Sequence, residues 1–204
     1  MRTYRAVNLN ALWFLIALNV LIFVITLLRP EAIINFLGLT PALLSQQPWT
    51  IISSMFVHGN FGHILFNMIS LYFLGSFLIR AAGEKSFLAV FFLGGLAGNI
   101  LYFVLGYLVL RGFIPPLFGD PFTPGIGASG GIFALGGALA IMVPRVPVII
   151  FPIPVPVPLW VAIIILVCIS FLFSGIAWQA HLGGLFLGLV AGLIFKRRRR
   201  IYSF

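Results

Sequence analysis

Six long apolar segments follow one another along this chain, separated by stretches that carry the charges, prolines and many of the polar residues. A helix needs about 20 consecutive apolar residues to cross the hydrocarbon core of a bilayer. The pattern therefore predicts six membrane-spanning helices. They are expected at residues 11–28, 60–79, 86–110, 126–143, 157–173 and 177–195.

The connection between the fourth and fifth segments has a different pattern, because prolines recur through it. They stand at positions 144, 147, 152, 154, 156 and 158. A helix cannot continue through closely spaced prolines, since each lacks the N–H group and clashes with the preceding turn. We therefore predict that residues 144–158 are extended and lie at the membrane interface. An earlier start of the fifth helix would require a kink.

The composition agrees with a membrane protein of the all-α class. Hydrophobic residues make up 62% of the 204 residues and charged residues only 7%, whereas soluble domains carry about 25% charged residues. No shift in composition marks a boundary, so we expect one membrane domain over residues 1–204. The first apolar segment is too long for a cleavable signal. The single cysteine, Cys168, cannot form an internal disulfide.

The net charge of +9 is distributed unevenly between the connections. If both termini are cytoplasmic, ten basic residues lie inside and two outside, as the positive-inside rule requires. The inner set is Arg2, Arg5, Arg80, Lys85, Arg145, Lys196, Arg197, Arg198, Arg199 and Arg200, and the outer set is Arg29 and Arg111. Residues 196–204 are thus expected to form a basic cytoplasmic tail. Nucleic-acid binding is disfavoured, because no basic folded surface accompanies the tail.

Four polar residues occur near the starts of three segments that run inward from the outer side. His63 and Asn67 lie in the second segment, Ser129 in the fourth and His181 in the sixth. At about 1.5 Å per helical residue, all four are expected at one shallow depth below the outer surface. Ionisable groups inside a membrane are costly and are usually functional.

Ser129 and His181 have the chemistry of a nucleophile and its general base. A serine hydroxyl needs a neighbouring base to take its proton, and a neutral imidazole can do so. The acidic residues Glu31, Glu84 and Asp120 all fall in connections. We therefore predict a Ser–His dyad whose imidazole is oriented by packing or by a neutral hydrogen-bond partner. A glycine-flanked serine taken alone would more often serve helix packing.

The remaining polar residues fit the stabilisation of an oxyanion. His63 and Asn67 are spaced i, i+4 and share one helical face. Both can donate hydrogen bonds, and the backbone N–H of Ser129 could provide a third donor. His58 is expected to have a supporting role near the helix entry, and Gly127 to allow close backbone approach around the serine.

Glycines also predict how two of the helices pack. Gly184, Gly188 and Gly192 recur every four residues after His181. A stripe of small residues lets two membrane helices approach closely. We therefore expect the fourth and sixth segments to touch, which would bring Ser129 to His181.

Other classes of membrane protein fit the sequence less well. It has no His-Glu-x-x-His motif and no aspartate within an apolar segment, which disfavours metalloprotease and aspartyl protease mechanisms. We expect no metal and no cofactor. A channel or transporter would be expected to carry deeper ionisable groups or helices broken near the midplane.

Four motifs resemble the rhomboid family of intramembrane serine proteases, and together they cover most of the chain. They are Trp49, His58-Gly-Asn-Phe-Gly-His63-Ile-Leu-Phe-Asn67, Gly127-Ala-Ser129-Gly and Ala180-His181-Leu-Gly-Gly184-Leu-Phe-Leu-Gly188. The chain departs from the pattern of many members at Thr50, where they have Arg, and at Ile79, where they have Glu.

The resemblance implies a minimal six-helix protease of bacterial or archaeal type in the plasma membrane. It implies Ser129 as the nucleophile, His181 as the base, and His63 and Asn67 beside the oxyanion. It also implies a water-accessible cavity open to the outside and a fifth span that moves to admit transmembrane protein substrates. The alternative is a non-catalytic relative that binds transmembrane clients. Loss of the serine or histidine would favour that alternative, but both are present here.

Overall fold

The fold is given by a computed structural model that describes residues 7–150, 153–173 and 175–201. Arg2 and Arg5, which the charge pattern assigns to the inner side, lie outside the described residues. The helices are α1 (Asn10–Leu28), α2 (Pro30–Leu37), α3 (Thr50–Ser53), α4 (Phe61–Ala82), α5 (Glu84–Leu110), α6 (Ser129–Met142), α7 (Leu159–Leu172) and α8 (Trp178–Ile201). Short 3₁₀ turns occur at Pro41–Leu43, Ser54–Phe56 and Pro116–Phe118, and two strands, β1 (Pro147–Ile150) and β2 (Ile153–Pro158), connect α6 to α7.

Each of the six predicted apolar segments contains one helix, but the helices differ in length. Among the described residues, α1, α4, α5 and the Trp178–Arg197 part of α8 are long and apolar enough to cross a membrane. Helices α6 and α7 have 14 residues each, which corresponds to about 21 Å, compared with a hydrocarbon core of about 30 Å. Helix α6 begins three residues later than predicted, because Gly127 has a φ of 118° that a right-handed helix does not allow.

The basic end of the chain continues the last helix. Helix α8 runs on to Ile201 through the residues predicted to form a separate tail from position 196. Lys and Arg are good helix formers, so the change from apolar to basic residues does not by itself end a helix. Residues 202–204 lie outside the described part of the chain.

Within the connection predicted to be extended, residues 147–150 and 153–158 are extended, and they pair in a hairpin that the sequence did not predict. Residues 144 and 145 instead form a turn, in which the backbone N–H of Val146 donates to the carbonyl of Val143. Strands β1 and β2 pair antiparallel, with Pro147 opposite Pro158 and Val148 opposite Val157. The prolines of β2 recur at every second position, so their missing N–H groups can all lie on the side away from β1. The backbone N–H of Leu159 donates to the carbonyl of Val146 at 2.9 Å, which joins the start of α7 to the hairpin base.

Helix α6 lies at the centre of the bundle and packs against α4, α5, α7 and α8. Its buried residues form a continuous run from Gly130 to Leu139. The glycines and alanines in this run have small side chains, so several neighbouring helices can approach the α6 backbone at the same time. Large apolar side chains such as Phe14, Phe73 and Phe186 are exposed on the outer helices, as expected for surfaces that face lipid.

The predicted contact between the fourth and sixth segments is present. A Cβ atom added at Gly184 or Gly188 would collide with the carbonyl oxygen of Gly130 or Ala134, respectively. One added at Gly192 would lie 2.6 Å from the carbonyl oxygen of Ala138. Glycine at these positions therefore lets the backbones of α6 and α8 approach more closely than any other residue would permit.

Candidate active site

Ser129 and His181 are brought together by the close packing of α6 and α8. Ser129 is the first residue of α6, and His181 lies in the first turn of α8. The Oγ atom of Ser129 and the Nε2 atom of His181 are 2.7 Å apart. This distance is that of a strong hydrogen bond, so the two side chains have the geometry required for proton transfer between them.

The imidazole of His181 is held on one face and at its second nitrogen. Its ring stacks on Phe133, with centroids 4.3 Å apart and an interplanar angle of 19°. Because Phe133 is one helical turn after Ser129, the same helix provides both the hydroxyl group and the stacking surface. Nδ1 of His181 lies 2.7 Å from Oγ of Ser170 on α7. Packing and a neutral hydrogen-bond partner, the two means of orientation that the sequence left open, are therefore both present.

Sequence reasoning did not single out Ser170. It lies within the apolar sequence of α7, where a serine commonly bonds to its own helix backbone. Its position eleven residues before His181 has no periodic relation to that residue, because a loop lies between them. Only the mutual arrangement of α7 and α8 identifies this contact.

His63 and Asn67 lie one turn apart near the start of α4. The side chain of Asn60 caps this helix by accepting a hydrogen bond from the backbone N–H of His63 at 2.8 Å. The Nδ2 atom of Asn67 donates to the carbonyl of His63 at 2.8 Å, which uses one of its two N–H groups. A Cβ atom added at Gly127 would lie 2.7 Å from Nε2 of His63. The His63 ring thus lies directly against the loop that leads into Ser129.

His58 is fully buried behind His63. The two rings meet edge to face, with centroids 4.9 Å apart. The pKa of His58 is lowered to about 3, mainly by burial and in smaller part by the neighbouring His63, while interaction with the Phe56 backbone opposes the shift. His58 is therefore neutral at physiological pH and packs against the ring that reaches the cavity.

The loop before Ser129 is held by the connection between α1 and α4. Leu39 and Gly125 exchange two backbone hydrogen bonds, and the N–H of Gly127 donates to the carbonyl of Ser54 at 2.9 Å. Asn99 of α5 fixes the same connection, because its Nδ2 donates to the Ile51 carbonyl and to Oγ of Ser54 at 2.8 and 2.9 Å. Asn99 was not predicted from the sequence, since its partners lie more than forty residues away.

The two departures from the rhomboid pattern are accommodated within the fold. Thr50 is buried and donates through its hydroxyl to the carbonyl of Gln47 at 2.6 Å. The preceding Trp49 donates through Nε1 to the carbonyl of Phe36 at 2.8 Å, and so joins α3 to α2. Ile79 is buried in the hydrophobic core. Neither residue lies at the Ser129–His181 contact.

A single cavity of about 1070 Å³ is lined by His63, Asn67, Ser129 and His181. Its other walls include parts of the loop at 116–127 and residues 170–173 and 175–180, at the end of α7 and the start of α8. The four polar residues that the sequence singled out therefore surround one space. This space offers a hydroxyl nucleophile, an imidazole base and polar donors close together.

The fold and this cavity define an integral membrane protein of the polytopic α-helical class, with a serine–histidine pair in its helical core. Comparison with known proteins identifies the family. The family model of the Rhomboid domain matches residues 45–198, so the chain belongs to the rhomboid family.

Three relatives illustrate the similarity. RHOMBOID-like protein 12, mitochondrial, of Arabidopsis thaliana is 31% identical over 174 residues, which are 81% of this chain and 52% of that protein. Rhomboid protein 1, mitochondrial, of Saccharomyces cerevisiae is 28% identical over 164 residues, which are 74% of this chain and 44% of that protein. Rhomboid protease AarA of Providencia stuartii is 30% identical over 163 residues, which are 74% of this chain and 57% of that protein. The chain spans about half the length of each of these relatives.

Proposed function

We propose that this protein is an intramembrane serine endopeptidase that uses Ser129 and His181 as a catalytic dyad. The observation that carries the proposal is the 2.7 Å contact between Oγ of Ser129 and Nε2 of His181 in a polar cavity. A serine in a membrane helix that served only packing would not need an imidazole at hydrogen-bond distance. Membership of a family that includes named proteases supports the same reading.

The reaction would proceed by acyl transfer. His181 takes the proton of Ser129 as the hydroxyl oxygen attacks the scissile carbonyl, and the carbonyl oxygen becomes an oxyanion. His181 then gives that proton to the leaving amine as the peptide C–N bond breaks. Water attacks the resulting ester with His181 again acting as base, which releases the new carboxylate and restores Ser129.

The oxyanion would be stabilised by His63, by the free N–H of the Asn67 amide and by the backbone N–H of Ser129. All three residues line the same cavity. Donors that are fixed before the reaction pay no reorganisation cost in the transition state. Gly127 contributes by leaving room for the His63 ring, and His58 by packing behind it.

The proposed topology has six spans, cytoplasmic termini and a cavity that opens to the outer side of a prokaryotic plasma membrane. The distribution of basic residues supports this orientation. The short length of α6 fits a site below the surface, because a helix of 14 residues that ends at one side of the membrane would begin below the opposite surface. The loop at 116–127 would then dip into the membrane and carry Ser129 with it.

The proposed substrates are transmembrane proteins cut near the outer face of their span. A helical substrate would have to unwind locally, since its backbone carbonyls are hydrogen-bonded within the helix. A volume of about 1070 Å³ is large enough for several residues of an extended peptide. Glycine or serine near the cleaved bond would ease unwinding because both are weaker helix formers than alanine.

The test is cleavage of single-span membrane proteins by the protein purified in detergent. The wild type should produce two fragments, and Ser129→Ala and His181→Ala should each abolish them. Undiminished cleavage by Ser129→Ala would refute the proposed nucleophile. A wild type that binds such proteins without cutting any of them would instead support a client-binding relative.

A further inference from the structure

Ser170 connects the base of the dyad to a third helix. It is buried in the last turn of α7, and its Oγ atom makes two contacts. One is to the carbonyl oxygen of Leu166 at 2.8 Å, and the other is to Nδ1 of His181 at 2.7 Å. Ser170 therefore lies at the far end of a chain of hydrogen bonds that continues through His181 to Ser129.

The direction of every hydrogen bond in this chain follows from the number of protons. The Leu166 carbonyl can only accept, so the single hydroxyl proton of Ser170 must point to it. Oγ of Ser170 is then an acceptor towards His181, which requires the ring proton to be on Nδ1. A neutral imidazole with its proton on Nδ1 has a lone pair on Nε2, and the Ser129 hydroxyl donates to that lone pair.

The opposite tautomer would leave the chain of bonds inconsistent. With the ring proton on Nε2, His181 would donate to Ser129 and could not accept its proton. Nδ1 would then need a proton from Ser170, and the Ser170 and Leu166 oxygens would face each other at 2.8 Å without a proton between them. The Leu166 carbonyl thus selects, through Ser170, the tautomer in which His181 can act as a base.

We propose that Ser170 is a positioning residue that fixes the Nδ1–H tautomer and the ring orientation of His181. This inference rests on the proposed function. Ser170 would occupy the place that a carboxylate has in a Ser–His–Asp triad, using a neutral oxygen polarised by a backbone carbonyl. The bond from Nδ1–H to Ser170 is kept when Nε2 gains the proton of Ser129, so one geometry serves both protonation states.

A matched set of variants separates the hydroxyl group from the shape of the side chain. Ser170→Thr keeps a hydroxyl that can bond to the carbonyl one turn earlier. Ser170→Val has nearly the shape of threonine and the same β-branching but no hydroxyl group. Ser170→Ala removes the hydroxyl without adding volume. Ser76→Ala is the control, because Ser76 is also buried and bonded to its own helix, through the Phe73 carbonyl, but does not line the cavity.

The first readout is kinetic. Ser170→Ala and Ser170→Val should lower kcat for substrate cleavage about tenfold, as expected from the loss of one hydrogen bond, with KM little changed. Ser170→Thr should restore most of the rate, and Ser76→Ala should match the wild type. Equal rates for the threonine and valine variants, or for the alanine variant and the wild type, would overturn the role of Ser170.

The second readout is the tautomer itself, measured by ¹⁵N NMR of histidine-labelled protein in detergent. The His181 signals of the wild type and Ser170→Thr should show a protonated Nδ1 and an unprotonated Nε2. Those of Ser170→Ala should move towards the Nε2-protonated form. An unchanged Nδ1–H signal in Ser170→Ala would overturn the inference even if the rate falls. An inactive wild type with the Nδ1–H signal would refute the proposed function and leave the positioning contact established.

Discussion

Nε2 of His181 lies 2.7 Å from Oγ of Ser129, although 52 residues separate them in the sequence. The contact depends on the backbones of α6 and α8, which approach so closely that a methyl group at Gly188 would collide with the Ala134 carbonyl. The close approach that places Ser129 beside His181 therefore depends on the glycines that lie one to three turns after His181 on α8.

Gly188→Ala should destabilise the protein and reduce its activity. Alanine is the better helix former by about 1 kcal/mol, but here its Cβ atom must push α6 and α8 apart, and overpacking of this kind costs about 1–3 kcal/mol. Thermal unfolding in detergent should occur at a lower temperature, together with slower cleavage. Gly62→Ala is the control, because the nearest atom to its added Cβ would be 3.4 Å away. Equal stability of the Gly188→Ala variant and the wild type would contradict this account of the packing.

Asn67→Ala should slow cleavage without abolishing it. Removal of one oxyanion donor typically costs about 10²–10³ in rate. Asn19→Ala is a closely matched control, since Asn19 also donates through Nδ2 to the carbonyl four residues earlier and has a buried Oδ1 without a hydrogen-bond partner among the described residues. Asn19 lies in α1 and does not line the cavity. If both variants lose stability alike and neither loses rate, Asn67 has only a packing role.

Gly127→Ala should impair catalysis through two effects. The φ of 118° strains any residue with a Cβ atom, and that atom would lie 2.7 Å from Nε2 of His63. Displacing a group at the reacting centre by about 1 Å can cost about 10²-fold in rate. Gly83→Ala is the control, because Gly83 also has a backbone conformation that is essentially restricted to glycine, with φ 89° and ψ 161°, but has open space around its Cβ position. Cleavage rates normalised to the folded fraction should fall for Gly127→Ala alone, and a parallel fall in both would attribute the effect to strain.

The proposed orientation in the membrane can be tested with single cysteines in a Cys168→Ser background. Lys85 lies in the first turn of α5 and is expected inside, whereas the exposed Phe113 follows α5 and is expected outside. In intact cells, a membrane-impermeant maleimide should label Phe113→Cys and should label Lys85→Cys only after permeabilisation. The reverse pattern would show that the termini are outside and that the charge pattern was misread.

The sequence was sufficient to predict the six helical segments and the principal polar residues of the cavity, for a physical reason. Each apolar segment is close to the length that a membrane-spanning helix needs, and polar residues within the segments are rare enough that Ser129 and His181 stand out. The glycine stripe then predicted which helices touch. Contacts such as Ser170 to His181 and Asn99 to Ser54 could not be predicted, because they depend on the relative positions of helices and loops. Pairing of β1 with β2 was missed because alternating prolines indicate an extended chain but give no register.

The most direct test of the central claim is covalent labelling of the purified protein with a fluorophosphonate. The activated Ser129 oxygen should displace fluoride from phosphorus, and mass spectrometry of the digested protein should locate the adduct on Ser129. Labelling should disappear in Ser129→Ala and fall to background in His181→Ala, while Ser76→Ala should be labelled like the wild type. An adduct on another residue, or undiminished labelling of Ser129 in the His181→Ala variant, would contradict a Ser129–His181 dyad.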